Sequence, residues 1–261
     1  MRRLFSLVAV AGAAVFLALA GGPAQAITNG VPDGANHPEV GALIADQAFS
    51  DGTWAYCSGT LIAPTVVLTA AHCGDPGQTT ARVSFASRYH DGDQVFVGSY
   101  IPDPRYRGAQ SDPYDIAVVV FDSPVPGITP ARLPTAGLLD GMQADGSLKT
   151  AIFTPVGYGS LLPVNGPGGK TYTYTDTRNA ATGSLNSLTK AWLRLSQNAS
   201  TGDGGTCYGD SGGANFLGGT SSHLLVASTI TGDTACRSTN VDYRLDTDGA
   251  RSFLGQFVTL P

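Results

Sequence analysis

Short β-rich runs recur along this 261-residue chain, each closed off by a cluster of Gly, Pro, Asn or Asp, and they limit the fold more than any other feature. The first set is Val40–Ala45, Cys57–Ile62, Val66–Thr69, Ala81–Ser87, Gln94–Tyr100 and Ile116–Phe121. The second is Ala151–Tyr158, Thr171–Thr175, Ala191–Ser196, Leu224–Ile230 and Val241–Leu245. Residues 190–196 (Lys-Ala-Trp-Leu-Arg-Leu-Ser) alternate at period two, as a half-buried antiparallel strand does. With 34 Gly and 16 Pro and no Gly-X-Y period, the composition excludes collagen and favours turns. Many short strands separated by turns predict an all-β sandwich or barrel fold. One long helix is predicted, from about Thr247 to Phe257, with Thr247 or Asp248 as its N-cap. The loop-rich stretch 123–149, with Pro124, Pro126, Pro130 and Pro134, separates the two strand sets and marks the subdomain boundary.

Charge narrows the function. The net charge is −5 and only 13 % of residues are charged, too few basic groups for a nucleic-acid binder and no footprint for an anionic membrane. An apolar share of 42 % is too high for a disordered chain. At the N-terminus, Arg2 and Arg3 precede an apolar run, Leu4 to Ala20, and then Ala24-Gln25-Ala26, the order of a secretory signal peptide over residues 1–26. A competing cleavage site is Ala18-Leu19-Ala20. The rival reading of this run, a membrane anchor, is disfavoured by its short length.

Four cysteines allow three connectivities, and export favours disulfides. Proximity pairs Cys57 with Cys73 and Cys207 with Cys236. A zinc site is the alternative, but no C-x-x-C pair exists and the His spacing does not suit it. No metal or other cofactor is expected.

Three clusters carry chemistry. Leu68-Thr69-Ala70-Ala71-His72-Cys73 ends an apolar strand with a His, and Asp115 opens the apolar run Ile116–Phe121. Thr206-Cys207-Tyr208-Gly209-Asp210-Ser211-Gly212-Gly213 places a Ser in a glycine-rich turn. Each has an ordinary structural reading alone: a hydrogen-bonded His, a turn Asp, a flexible glycine loop. Together they supply what nucleophilic acyl transfer needs. A neutral hydroxyl attacks only when an imidazole takes its proton, and the imidazole needs a carboxylate to fix its tautomer. The glycines allow the N–H groups of Gly209 and Ser211 to converge on a developing oxyanion.

Thr-Ala-Ala-His-Cys and Gly-Asp-Ser-Gly-Gly, in that order and each beside a Cys, resemble the chymotrypsin/trypsin-type serine proteases, over Ile27 to about Leu254. The composition and the stretch 243–247 resemble their secreted, actinomycete-like bacterial members. The resemblance implies two six-stranded antiparallel β-barrels with a C-terminal helix, one over about 27–135 and the other over about 145–261. It implies His72 as general base, Asp115 as its orienting carboxylate and Ser211 as nucleophile, with Gly209 and Ser211 as oxyanion donors. Gly157-Tyr158-Gly159 stands where the family usually has Gly-Trp-Gly. Gly205, Thr206, Ser228 and Ile230 become the specificity-pocket residues, and Ser228 is also expected to support Asp115. Gly205 takes the place of the pocket Asp of Arg/Lys-specific relatives, Ala227 that of the His of Glu-specific ones, and Ile230 that of a pocket-opening Gly; a small or medium apolar P1 residue follows. Asp233 and Asp242 are further charges near that stretch. Ile27-Thr28-Asn29-Gly30 matches the family's activating terminus, and implies an ammonium at Ile27 paired with Asp210 after cleavage behind Ala26. The expected protein is a monomer, secreted and extracellular, with polypeptide substrates and proteinaceous inhibitors as partners. Two other readings remain: a catalytically silent scaffold, which such relatives become by losing a triad residue, and an esterase, which usually carries its G-x-S-x-G turn on an α/β framework.

Overall fold

The computed structural model describes residues 27–109 and 112–261; the predicted signal segment, 1–26, lies outside them. Among the described residues sixteen strands follow in chain order: β1 Val31–Pro32, β2 Val40–Ile44, β3 Ala55–Ala63, β4 Val66–Thr69, β5 Thr80–Ser84, β6 Phe96–Pro102, β7 Ala117–Val120, β8 Ile152–Gly157, β9 Val164–Gly166, β10 Gly169–Thr171, β11 Asn179–Ala180, β12 Gly183–Leu188, β13 Trp192–Ser196, β14 Ala214–Leu217, β15 Leu225–Gly232 and β16 Thr239–Arg244. β2-β3-β4-β7-β6-β5 close into one antiparallel barrel. β8-β12-β13-β16-β15-β14 close into a second, because β14 pairs back onto β8 from Ala214↔Val156 to Leu217↔Phe153.

Burial explains why these runs become barrel strands. Along β4 and β7 the paired residues, Val66↔Val120 to Thr69↔Ala117, are almost entirely apolar, β-branched and buried. β-branched side chains fit a pleated, buried surface, and each fully buried Val, Leu or Ile contributes about 1.5–3 kcal/mol. In β13 the alternation read from sequence is real: Leu193 and Leu195 are buried while Trp192, Arg194 and Ser196 are only partly so. One apolar cluster runs through the first barrel and across to Val156, Phe216 and Tyr243 of the second; a smaller one, with Phe153, Leu193 and Val226, fills the second barrel.

Several expectations need correction. Residues 172–175 are not a barrel strand. Their Thr-Tyr alternation serves other contacts: the Tyr172 hydroxyl donates to the Thr234 carbonyl, and its ring meets Tyr208 edge-on at 4.8 Å. The missing barrel strands are β12, rich in Ser and Asn, and the four-residue β14, which starts directly after the glycine turn. The proline-rich stretch contains a helix, α1 (Leu138–Asp145), whose Leu139 N–H donates to Asp246 at 2.8 Å; Asp246 also pairs with buried Arg244. The closing helix, α2, covers only Asp248–Leu254, with Thr247 as its N-cap accepting from Ala250, and buries Ala250, Phe253 and Leu254.

The segment before β2 packs on the second barrel, not the first. β1 pairs with β11, and Thr28 forms a bridge with Gly205. Asp33 accepts from the Arg178 guanidinium at 2.8 Å and bonds His37, whose ring stacks on Phe216 at 4.9 Å. His37 is therefore a buried structural residue. Arg178 also donates to the carbonyls of Val40 and Phe85, so one buried cation joins the leading segment to both barrels.

Candidate active site

The three chemical clusters meet at the junction of the barrels. His72 lies on a single 3-10 turn (Ala71–Cys73) just past β4, anchored by the Cys57–Cys73 disulfide to β3 and by the Tyr100 hydroxyl to the carbonyls of Ala70 and Ala71. Asp115 is completely buried at the entrance to β7. Its Oδ1 accepts the His72 backbone N–H at 2.9 Å and its Oδ2 meets His72 Nδ1 at 2.8 Å. A carboxylate only accepts, so the proton is on Nδ1 and the Nε2 lone pair faces outward. There it meets Ser211 Oγ at 2.7 Å.

Ser211 sits in the turn between the Cys207–Cys236 disulfide and β14. Gly209 and Gly212 both hold positive φ, +93° and +78°. At Gly212 a Cβ would lie 2.2 Å from Thr69 Oγ1 and 2.4 Å from the Ser58 carbonyl, so only glycine lets this turn dock on the first barrel. The docking bond is Ser58 N–H to the Ser211 carbonyl, 2.8 Å. Asp210, Gly212 and Gly213 donate their N–H groups to Cys207, Thr229 and Asp210 carbonyls. Among the described residues no protein acceptor takes the N–H of Gly209 or Ser211. A developing oxyanion beside Ser211 is the kind of acceptor that two such donors suit.

The match to one family model settles where this arrangement belongs. A trypsin model covers residues 36–247, four-fifths of the chain, and spans all three clusters. The chain belongs to the trypsin family. It is accordingly a serine endopeptidase, a hydrolase acting on polypeptides. Its two closed barrels and C-terminal helix are the family's fold.

This trypsin-family chain differs from expectation around its pocket. A cavity of about 180 Å³ opens beside Ser211, lined by Thr206, Ile230, the Cys207–Cys236 disulfide, Tyr208 and the 231–234 stretch. Of the four residues expected at the specificity pocket, Thr206 and Ile230 line this cavity. Gly205 and Ser228 do not line it. Gly205 packs against Gln197, whose Oε1 a Cβ there would approach to 2.4 Å, and its N–H and carbonyl both bond Thr28. Ser228 is buried between Ala214 and Tyr243, and among the described residues its hydroxyl has no hydrogen-bond partner and gives Asp115 no support.

Asp233 does line the cavity. Burial pushes its carboxyl up, but N–H donors from Thr239, Ser238 and Arg237 outweigh this and hold it below the usual carboxylate range. Its charge is engaged by its own loop. Asp242 lies off the cavity, buried against Asn215, and burial raises its carboxyl well above the ordinary value. Sequence reasoning missed Gln197 and had flagged Asp233 only as a charge; neither falls in a motif.

Ile27 and Asp210 are both buried. Asp210 accepts the N–H groups of Gly159 and Cys207, each at 2.8 Å, and has no ion-pair partner among the described residues. Burial pushes its carboxyl up to about 7, partly offset by those two donors. Thr28 is already fixed to Gly205 by backbone bonds in both directions, which holds the leading segment against the backbone that runs into the Ser211 turn. Among the described residues there is no group of three or more His, Cys, Asp or Glu able to hold a metal, and no helix is long and apolar enough to cross a membrane.

Proposed function

We propose that this chain is a secreted endopeptidase that cleaves peptide bonds through an acyl-enzyme on Ser211, as in the secreted bacterial members it resembles. The observation that carries the reading is the chain Ser211 Oγ–His72 Nε2–Nδ1–Asp115, at 2.7 and 2.8 Å, next to two N–H groups without protein acceptors. His72 takes the Ser211 proton as Oγ attacks the scissile carbonyl, and Asp115 stabilises the imidazolium that results. The oxyanion receives hydrogen bonds from Gly209 and Ser211 N–H. The same imidazolium then protonates the leaving amine, and the reverse sequence with water releases the acyl group.

The P1 side chain enters the cavity beside Ser211, and small or medium apolar residues fit it best. Ile230 and the disulfide provide apolar wall, and the Thr206 hydroxyl already donates to Asn240. A cationic P1 would find Asp233 already bonded to four backbone N–H groups of its own loop.

Removal of residues 1–26 on export would free Ile27 as an ammonium for Asp210, giving an active enzyme directly. Two features support this. Asp210 is a buried carboxyl with no cation among the described residues to hold it ionised. Ile27 in the continuous chain also holds φ +64°, a left-handed setting costing a β-branched residue about 1–2 kcal/mol; cutting the 26–27 bond abolishes that torsion. The 27–135 and 145–261 portions, one barrel each, form a single monomeric unit whose cleft also accepts proteinaceous inhibitors.

One experiment tests the core of the reading. The secreted protein is treated with a fluorophosphonate and digested against a peptide library. Labelling at Ser211, lost in Ser211→Ala, with cleavage after Ala, Val or Leu is the expected result. An unlabelled Ser211 refutes the mechanism, and dominant cleavage after Arg or Lys refutes the pocket assignment.

A further inference from the structure

Among the described residues, Tyr158 and Arg178 are two of the largest fully buried side chains, and neither takes part in the chemistry described so far. They meet each other: the Arg178 guanidinium donates to the Tyr158 hydroxyl at 3.3 Å. We propose that the two are positioning residues for the oxyanion hole, holding the 158–160 backbone so that its three N–H groups fix the turn carrying Gly209. The proposal rests on the endopeptidase reading above and extends the machinery by two residues that never touch substrate.

The first observation is a comb of donors. Three consecutive N–H groups, just past β8, serve the nucleophile turn. Tyr158 N–H donates to Ser58 Oγ at 2.9 Å, and Ser58 Oγ donates onward to the Gly209 carbonyl at 3.2 Å. Gly159 N–H donates to Asp210 at 2.8 Å. Ser160 N–H donates to the Tyr208 carbonyl at 2.7 Å. This last bond acts on the oxyanion donor itself, because the Tyr208 carbonyl and the Gly209 N–H belong to one peptide. A trans peptide points these two groups in opposite directions, so fixing the carbonyl aims the N–H away from Ser160. Turning the peptide over would forfeit that bond. Beyond it, Asp210 N–H donates to the Cys207 carbonyl and closes the turn with Gly209 at φ +93°.

The second observation is what holds the comb in place. Gly157 and Gly159 clasp Asp210 so closely that a Cβ on either would fall 2.3–2.4 Å from a carboxylate oxygen. Neither has a side chain, and among the described residues the Ser160 hydroxyl has no partner, so Tyr158 is the side chain that anchors this stretch. Its hydroxyl donates to the Ala86 carbonyl, just past β5, at 2.7 Å. Burial pushes that hydroxyl up to about 12, so it stays protonated and keeps donating. Arg178, just before β11, is itself immobilised. Its guanidinium donates to Asp33 at 2.8 Å and to the carbonyls of Gly34, Val40 and Phe85. β11 in turn pairs Asn179 with Gly157.

The third is chemical fit. A guanidinium only donates, so the group between Arg178 and the Ala86 carbonyl must accept from one and donate to the other. A tyrosine hydroxyl does both. The indole of the Trp usual at this position only donates, and a Phe ring does neither. Tyr158 at the centre of Gly157-Tyr158-Gly159 is thus matched to the buried Arg178.

Tyr158→Phe, which removes one oxygen, tests the device. With a peptide anilide having Leu at P1, kcat should fall at least fivefold while KM stays within twofold, because the P1 cavity and His72 are untouched. A peptide aldehyde with Leu at P1 reads the oxyanion directly. Ser211 Oγ bonds to the aldehyde carbon, its proton passes to His72, and the carbonyl electron pair becomes the oxyanion. Its Ki should rise at least fivefold. Arg178→Lys keeps a cation beside Asp33 but loses the planar fork that reaches the Tyr158 oxygen. It should give the same two changes, and it decides the matter if Tyr158→Phe does not fold, as circular dichroism shows. In a folded variant, a smaller fall in kcat, a rise in KM to match it, or an unmoved aldehyde Ki overturns this inference alone; lost stability by itself produces no such split. Absence of both turnover and aldehyde inhibition in the unaltered protein overturns the endopeptidase reading, and this one with it.

Discussion

Asp210→Asn in the uncut chain tests the electrostatics of the nucleophile turn most directly. The variant is made with Ser211→Ala, so that neither protein can process itself. Asp210 is fully buried, enclosed by Gly157 and Gly159, and bonded to two N–H groups but, among the described residues, to no cation. Burial pushes its carboxyl from 3.8 up to about 7. At 1.36 kcal/mol per unit, that rise corresponds to about 4 kcal/mol of penalty for holding the anion in the folded uncut chain. A raised carboxyl contributes its full stability below the unfolded value and loses it as pH climbs to the folded one. The loss therefore runs from about pH 4 to about pH 7 and is flat beyond. Between pH 5 and pH 8 it amounts to roughly 3 kcal/mol, or about 6–12 °C in Tm for a chain of this size. Denaturant unfolding at the two pH values measures it. Asn cannot ionise, so the Asn chain should lack this part of the pH dependence, whatever its absolute stability. Equal pH dependence in both chains, within about 0.5 kcal/mol, would refute the argument. The chain beginning at Ile27 should behave oppositely. There the ammonium keeps Asp210 ionised, and Asp210→Asn should cost about 3–5 kcal/mol and most activity. Pairing raises the ammonium above its reference value of about 7.7–8.0, so that stabilisation is complete below the reference value and disappears as pH rises through the raised one.

Three further outcomes follow from particular contacts. Asp115→Asn should leave the fold intact and lower kcat by about 10⁴, the loss characteristic of this triad, because an amide no longer selects the productive His72 tautomer; steady-state kinetics with an unchanged circular-dichroism spectrum check it. Gly212→Ala should cost about 3 kcal/mol or more, since the new Cβ meets Thr69, Ser58 and Ala70 within 2.7 Å in a left-handed backbone, and thermal unfolding reads the effect. Gly205→Asp should fail to create Arg or Lys specificity, because Gln197 occupies the space its side chain would need; a P1 profile of the variant decides.

The chemistry was legible in the sequence because it resides in residues that are neighbours along the chain. His72 beside Cys73, and Ser211 among its glycines next to Cys207, announce pinned turns in a few letters. Most barrel strands were equally legible, since their buried runs are apolar and β-branched. β12 and β14 were not. The first is only partly buried and built of Ser, Asn and Leu, and the second is four residues long; each is a strand because its neighbours offer a free hydrogen-bonding edge. α1 escaped for a related reason: the carboxylate that meets its first turn, Asp246, lies more than a hundred residues away.

Sequence alone therefore determined the family and pointed to the candidate reacting residues and disulfide partners, because all of these depend on identity and local spacing. Tertiary structure decided how those groups are surrounded. Gly205 turned out to face Gln197 instead of the cavity, Ser228 to leave Asp115 unsupported, and Asp233 to be wrapped by its own loop. None of these follows from residue type, because each depends on which backbone arrives from elsewhere in the chain. Local preference selects the groups, and the closure of two barrels against each other sets the distances at which they act.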